Sequence, residues 1–318
     1  MRMYRSLEEV ADAPELGRAV AIGVFDGVHR GQQRILGEAV REARASGARS
    51  AAVTFYPHPE AVLRPHAAPR MLTSLERKAE LLEELGIEEV IVVRFDRVFA
   101  QLTPEAFCRT VLSDHLGARV VFVGENFRFG HRGAGTPAEL TAYGAAHGFR
   151  VHPVSLVEDL GEVISSTRIR EVLRRGQVDE ATRLLGRPHR VEGEVVRGAG
   201  RGHTVLDTPT ANLTAEHDLA LPGLGIYATR SLVDHRTVHP SVTSVGTNPT
   251  FETDHKVRIE TLLLDYEGDL YGAHLAVDFL HRIRAQRTFP DAASLAEQIK
   301  KDIEVARGLH AADEASRA

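Results

Sequence analysis

The sequence predicts two unlike domains: an α/β domain on a doubly wound parallel sheet, then a small antiparallel β-barrel with a C-terminal helix. Three observations predict this. Short β-branched runs alternate with helical spacing through the first half. The alternation stops near residue 186. Beyond it, strand-like runs follow one another across glycine and polar turns, until a last helical stretch.

The elements come in order. AVAIGVF (19–25), SAAVTF (50–55), EVIVVRF (89–95) and RVVFVG (119–124) are apolar and β-branched, and read as buried strands. After the first, Ile35, Leu36, Ala39, Val40 and Ala43 mark one helix face, with Gly47 as its stop. A second helix is expected from Thr73, with Glu76 at capping-box distance, to about Gly86. Thr103-Pro104 and Thr136-Pro137 are cap-then-proline helix starts. In the second half RVEGEVV, GIYATRSLV, SVTSVGT, VRIETLLLD and HLAVDFL read as strands, and SLAEQIKKDIEVARGL (294–309) as the helix. The expected domains are 1–185 and 186–310, with a disordered tail over 311–318.

Composition bounds the function. The 318 residues are 43% hydrophobic and 26% charged, a soluble globular profile. A formal charge of −5 gives no basic field for nucleic acid or anionic membrane. No apolar run approaches the ~20 residues of a membrane span. The N-terminal MRMYRSLEEVADAPELG lacks an apolar signal core, and Cys108 is the sole cysteine, so a cytoplasmic protein is the simplest account.

GVFDGVHRGQ (23–32) sits at the carboxyl end of the first strand and opens the first helix. That is where open α/β sheets bind ligands. A helix N-terminus offers unpaired N–H groups and a positive dipole, which suit phosphate. Gly23, Gly27 and Gly31 let the backbone come close and His29 adds a donor; Phe25, Asp26 and Gln32 are grouped with them as nucleotide- and phosphate-binding residues. The bland alternative is an ordinary strand-to-helix turn, and the joint occurrence of Asp26-Gly27 with His29-x-Gly31 counts against it.

The stretch resembles the nucleotidyltransferase signature of histidine–any–glycine–histidine. In its fuller form it resembles the adenylyltransferase half of the bacterial bifunctional riboflavin kinase/FAD synthetases. TFYPHP (54–59), VGENFRFG (123–130) and ISSTRIR (164–170) resemble that half's later motifs, in order. The resemblance implies attack of the FMN phosphate on the α-phosphorus of ATP, with pyrophosphate leaving. It implies that His29 contacts the ATP phosphates and that Ser166, Thr167 and Arg168 bind phosphate. Alone, SSTR reads equally well as a plain N-cap. Asn126, Phe127 and Phe129 resemble flavin-site residues, with core packing the equal alternative for the aromatics. His58 reads equally as a turn histidine capping backbone.

Gln32 departs from the pattern, which has a second histidine there. An amide donates a hydrogen bond but cannot become cationic. A charge-assisted bond exceeds a neutral one by ~1–2 kcal/mol, about ten- to thirtyfold in rate if realised only in the transition state. Weakened or repurposed adenylyl transfer is therefore one reading.

RGAGRGHTVLDTPTANL (197–213) opens the second half. Gly200 and Arg201 suit nucleotide phosphates, and the Thr210 hydroxyl and Asn212 amide are hard ligands for Mg²⁺. On these residues alone a polar turn is the better reading. VGTNPTF (245–251), RIETLLLD (258–265), GDLYG (268–272) and VDFLHRIRAQRTF (277–289) shift the balance. Together they resemble the riboflavin kinase half of the same family, so the resemblance spans roughly 15–308. It implies that Thr210 and Asn212 hold Mg²⁺-ATP and that Glu260 is the base for the ribityl hydroxyl. Strand parity puts Glu260 on the face of Leu262 and Leu264, against full solvation. Asp207 and Thr208 stand where the pattern has glycine and an aromatic residue before the proline of PTAN.

The expectation is a transferase that makes FMN and then FAD, with ATP, Mg²⁺ and flavins as its small-molecule partners. Three readings stay beside it: a chain with one working site, a catalytically poor flavin- or nucleotide-binding regulator, and an adenylyltransferase for another cofactor.

Overall fold

Six parallel strands form the first sheet: β1 (Arg2–Tyr4), β2 (Arg18–Ile22), β3 (Arg49–Tyr56), β4 (Glu89–Arg94), β5 (Ala118–Gly124) and β6 (Arg150–Val154), in the order β1-β4-β3-β2-β5-β6. This computed structural model describes residues 1–10, 14–196, 210–215, 218–247 and 257–315. The chain divides into two units, Met1–Ser166 and Thr167–Ala318.

Strand order reverses at β2, which lies between β3 and β5. A crevice therefore opens at the carboxyl ends of β2 and β5, the switch point of a doubly wound sheet. Helix α1 (Arg30–Ser46) buries Leu36, Ala39, Val40 and Ala43, and ends at Gly47 with φ 73°. Helix α2 (Pro59–Leu63) follows β3. Its N-cap is His58, whose Nδ1 accepts the Glu60 N–H.

Helix α3 (Leu75–Glu84) differs from expectation at its start. Its N-cap is Ser74, bonded to the Arg77 N–H, whereas Thr73 Oγ1 accepts from Gly27 N at 3.4 Å. Helix α4 (Pro104–Ala106) continues into a π-helical stretch, Phe107–His115, and α5 (Pro137–His147) opens on the capping box of Thr136 and Glu139. β1, β6 and a hairpin of β7 (Glu158–Asp159) and β8 (Glu162–Val163) were not expected. They are short, and β6 carries Pro153, so periodicity is weak. At the amino end of the sheet, Glu89 bridges Arg18 at 2.6 Å and Arg49 at 3.0 Å.

The boundary falls just inside α6 (Ser166–Arg174), and the second unit takes in the rest of that helix and α7 (Val178–Leu185). The sequence grouped these with the parallel sheet. However, α7 packs along barrel strands, and Arg282 donates to the Arg175 carbonyl at 3.2 Å. Six antiparallel strands close the barrel: β9 (His189–Val196), β10 (Ala211–Ala215), β11 (Gly225–Val233), β12 (Thr237–Gly246), β13 (Arg258–Leu263) and β14 (His274–Ala285), in the order β10-β13-β12-β11-β14-β9.

A chain of buried hydroxyls runs inside the barrel. Ser231 meets Ser241, Ser241 meets Thr229, Thr229 meets Thr243 and Thr243 meets Thr261, all within 3.0 Å. The outer face carries Ala228, Val242, Leu262 and Leu264, which cluster with Ala306 of helix α8 (Ala292–Ala315). The expected disordered tail is helical through Ala315: Ala311 and Ala312 are strong helix formers, and His281 Nε2 holds Asp313 at 3.2 Å.

Candidate functional site

The turn between β2 and α1 is strained and tied down. Phe25 has φ 49° and Val28 φ 42°, a region that bulky and β-branched side chains avoid at a cost of ~1–3 kcal/mol each. Both side chains are buried and hold the turn from below. From above, Ser166 Oγ donates to the Asp26 carbonyl at 2.8 Å. Asp26 is only 1% exposed, and its carboxylate accepts the Leu72 N–H at 2.8 Å. Asp26 therefore braces the turn, whereas the sequence grouped it with phosphate contacts.

His29 is the N-cap of α1. Its Nδ1 accepts the Gln32 N–H at 3.4 Å, and Gln32 Oε1 accepts the His29 N–H at 3.2 Å. This reciprocal capping box gives Gln32 a definite task in place of a second imidazole. An accepting Nδ1 places the proton of a neutral His29 ring on Nε2, the tautomer that donates from the far side of the ring. Gly31 has its reason too: a Cβ there would lie 3.2 Å from the His29 ring.

The loop after β5 carries Asn126, Phe127 and Phe129. Asn126 is exposed, whereas Phe129 is buried and stacks on Phe127 at 5.7 Å and 11°. Phe107, Phe99, Phe95 and Phe55 continue the cluster, with successive centroids 6.2 Å apart or less. Loops after β2 and β5 thus bring a phosphate-type helix start and an aromatic wall to one end of the sheet. Thr167 is exposed at the start of α6, and Arg168 pairs with Glu180 at 3.1 Å within the second unit.

Sequence reasoning missed Lys78, 2% exposed on α3. Its Nζ donates to the Val24 carbonyl at 2.9 Å and approaches Thr54 Oγ1 at 3.4 Å. The signal was there: a lone lysine between Leu75 and Leu82 on the apolar stripe of a helix.

In the barrel, Asn212 on β10 is the direct cross-strand partner of Glu260 on β13, and Glu260 in turn faces Ser244 on β12. All three share the outer face. Glu260 is exposed, although Leu262 and Leu264 on the same face are buried under α8. Parity does place Glu260 on the face of Leu262 and Leu264, and the helix covers only the later part of the strand. Thr210 directly precedes β10 and is half-buried. Gly200, Arg201, Asp207 and Thr208 lie outside the described residues. Cys108 is buried, and burial pushes its thiol up to about 12, which leaves it inert.

Comparison with known proteins agrees with both halves. A FAD synthetase family model matches residues 12–168, and a riboflavin kinase model matches 185–310. Proteins called bifunctional riboflavin kinase/FMN adenylyltransferase are similar throughout. That of Listeria monocytogenes is 34% identical over 93% of this chain and 94% of its own length. That of Escherichia coli K12 is 34% identical over 96% and 97%, and that of Pseudomonas fluorescens 36% over 98% and 98%. A solved structure from Streptococcus pneumoniae, described as a macrolide-efflux protein, superposes with a TM-score of 0.85 at 31% identity, covering 96% of this chain and 98% of its own. Among the described residues here, no helix is long and apolar enough to cross a membrane. With both halves matched in order, and relatives aligned from end to end, the chain belongs to the bifunctional riboflavin kinase/FMN adenylyltransferase family.

Proposed function

We infer that this chain phosphorylates riboflavin to FMN in its barrel and adenylylates FMN to FAD in its parallel-sheet domain, in the cytoplasm. The observation that carries the reading is the presence of both family halves on one chain. A single working site is not favoured.

In the kinase step the ribityl hydroxyl oxygen attacks the γ-phosphorus of ATP, and the bond to the β-phosphate oxygen breaks, releasing ADP. Glu260 accepts the hydroxyl proton. Its exposure on a rigid strand suits a base that must meet a substrate alcohol. The Asn212 amide oxygen beside that carboxylate, with the Thr210 hydroxyl just before it, is a set of hard oxygen donors that fits Mg²⁺. When bound with ATP, the ion neutralises phosphate charge.

In the adenylyl step an FMN phosphate oxygen attacks the α-phosphorus, and pyrophosphate leaves. No proton need be abstracted, so the residues act by position and charge. His29 Nε2–H and the first N–H groups of α1 face the phosphates. Ser166 fixes the turn through the Asp26 carbonyl. Asn126 and Phe127 receive the flavin, by an amide contact and offset stacking, with Phe129 packed against Phe127 as its support. Gly200 and Arg201 serve the kinase nucleotide.

The test is a time course. Purified protein with riboflavin, ATP and Mg²⁺ should yield FMN and then FAD on chromatographic separation. FMN alone would confine the function to the barrel, and unchanged riboflavin would refute the reading.

A further inference from the structure

Three bonds tie the short segment 72–78 to the turn that carries His29. Leu72 N–H donates to the Asp26 carboxylate at 2.8 Å, Gly27 N–H donates to Thr73 Oγ1 at 3.4 Å, and Lys78 Nζ donates to the Val24 carbonyl at 2.9 Å. Thr54 Oγ1 donates to the same carbonyl at 2.8 Å. A neutral side chain would satisfy that carbonyl without burying an ion, so the ammonium needs a separate reason.

Asp26 supplies the reason. Its carboxylate is buried in the turn, and in the adenylyl step inferred above that turn receives the ATP phosphates, which a nearby negative charge would repel. Lys78 feels that carboxylate electrostatically. Burial lowers the ammonium to about 8, and Asp26 opposes that fall, so the group stays mostly charged at neutral pH.

We propose that Lys78 is a positioning residue for adenylyl transfer: it pins the Val24 carbonyl of the strained turn and cancels the charge of Asp26, so that the turn accepts ATP. This rests on the adenylyl transfer inferred above. Lys78 does not touch the reacting atoms. Its effect passes through the turn and the field there.

The experiment measures FAD formation from supplied FMN and ATP in the full chain, for wild type, Lys78→Met, Lys78→Arg and the double variant Lys78→Met/Asp26→Asn. Lys78→Met should raise the ATP KM about tenfold, with a smaller fall in kcat, while riboflavin phosphorylation is unchanged. The double variant, which removes both charges, should recover most of the KM. Lys78→Arg should bind ATP better than Lys78→Met. A purely structural lysine predicts the opposite: lower thermal stability, an unchanged KM, and a double variant no better than the single one. If Lys78→Met does not fold, Lys78→Gln, which keeps a donor for the Val24 carbonyl but carries no charge, replaces it in each of these comparisons. Wild type that makes no FAD overturns the adenylyl reading and this role together. Wild type that makes FAD beside a Lys78→Met of normal KM overturns this role alone.

Discussion

Asn212 and Glu260 face each other directly across β10 and β13, on the outer face of the barrel. Opposed side chains in such a pair stand with their Cβ atoms about 4.5–5.5 Å apart. On the function proposed above, one ATP-bound cation and one attacking hydroxyl would share a single small site. Glu260→Gln keeps size and polarity but cannot take a proton. It should cut riboflavin phosphorylation at least ~100-fold and leave FAD formation from supplied FMN intact. Phosphorylation at the wild-type rate would remove Glu260 from the mechanism.

The capping box of His29 and Gln32 allows a second test. Gln32→Ala removes the acceptor for the His29 N–H and should cost about 1 kcal/mol of stability in the first unit. Gln32→His exchanges that bond for a second imidazole near the phosphates. Adenylyl transfer should rise about tenfold, with little change in ATP affinity and none in kinase rate. An unchanged rate would mean that the amide already serves as well as an imidazole.

His281 sits between Asp179 of α7 and Asp313 of α8. Burial lowers its pKa, but hydrogen bonds and charge from the two aspartates outweigh this, so the net shift is upward. A raised histidine pKa contributes stability that is complete below the unfolded value of about 6.5 and is lost as pH rises through the folded value. His281→Gln should therefore lower the barrel's melting temperature at pH 5.5 and change it much less at pH 9. An equal loss at both values would contradict a charged clamp.

Helix α7 packs along the barrel, with Asp179 of that helix on His281. Residues 167–318 and residues 186–318 should both phosphorylate riboflavin, but the longer fragment should melt at a clearly higher temperature. Equal melting temperatures would show that α6 and α7 do not brace the barrel.

At the amino end of the sheet Glu89 joins two arginines, and both it and Arg18 are 1% exposed. Glu89→Leu leaves the Arg18 guanidinium buried without its counter-charge, and should cost about 3–5 kcal/mol in chemical denaturation. Adding Arg18→Met should return part of that loss. A double variant as unstable as Glu89→Leu alone would show that the stranded charge is not the cause.

What was legible depended on how local the cause was. The strands of the first sheet follow from β-branched runs, and α1 from a stripe of five apolar residues closed by Gly47. The GVFDGVHRG turn stands out by residue type and place, whereas the PTAN stretch reads as a polar turn until the later barrel motifs are set beside it. Position 74 beat Thr73 as the cap of α3 because Thr73 was engaged by Gly27, a partner far away in sequence. The opposition of Asn212 and Glu260 is a matter of barrel register, which sequence spacing does not reveal. Lys78 was readable only as an oddity on an apolar stripe. Its meaning came from Val24 and Asp26, brought to it by the fold.

The central claim, two sequential transfers on one chain, predicts where each ATP phosphorus goes. Riboflavin is incubated with Mg²⁺ and ATP labelled at either the γ- or the α-phosphorus, and the flavins are separated. Label from the γ position should appear in FMN and persist in FAD. Label from the α position should appear in FAD only. FAD without γ-label, or γ-labelled FMN with no α-labelled flavin at any time, would contradict the account.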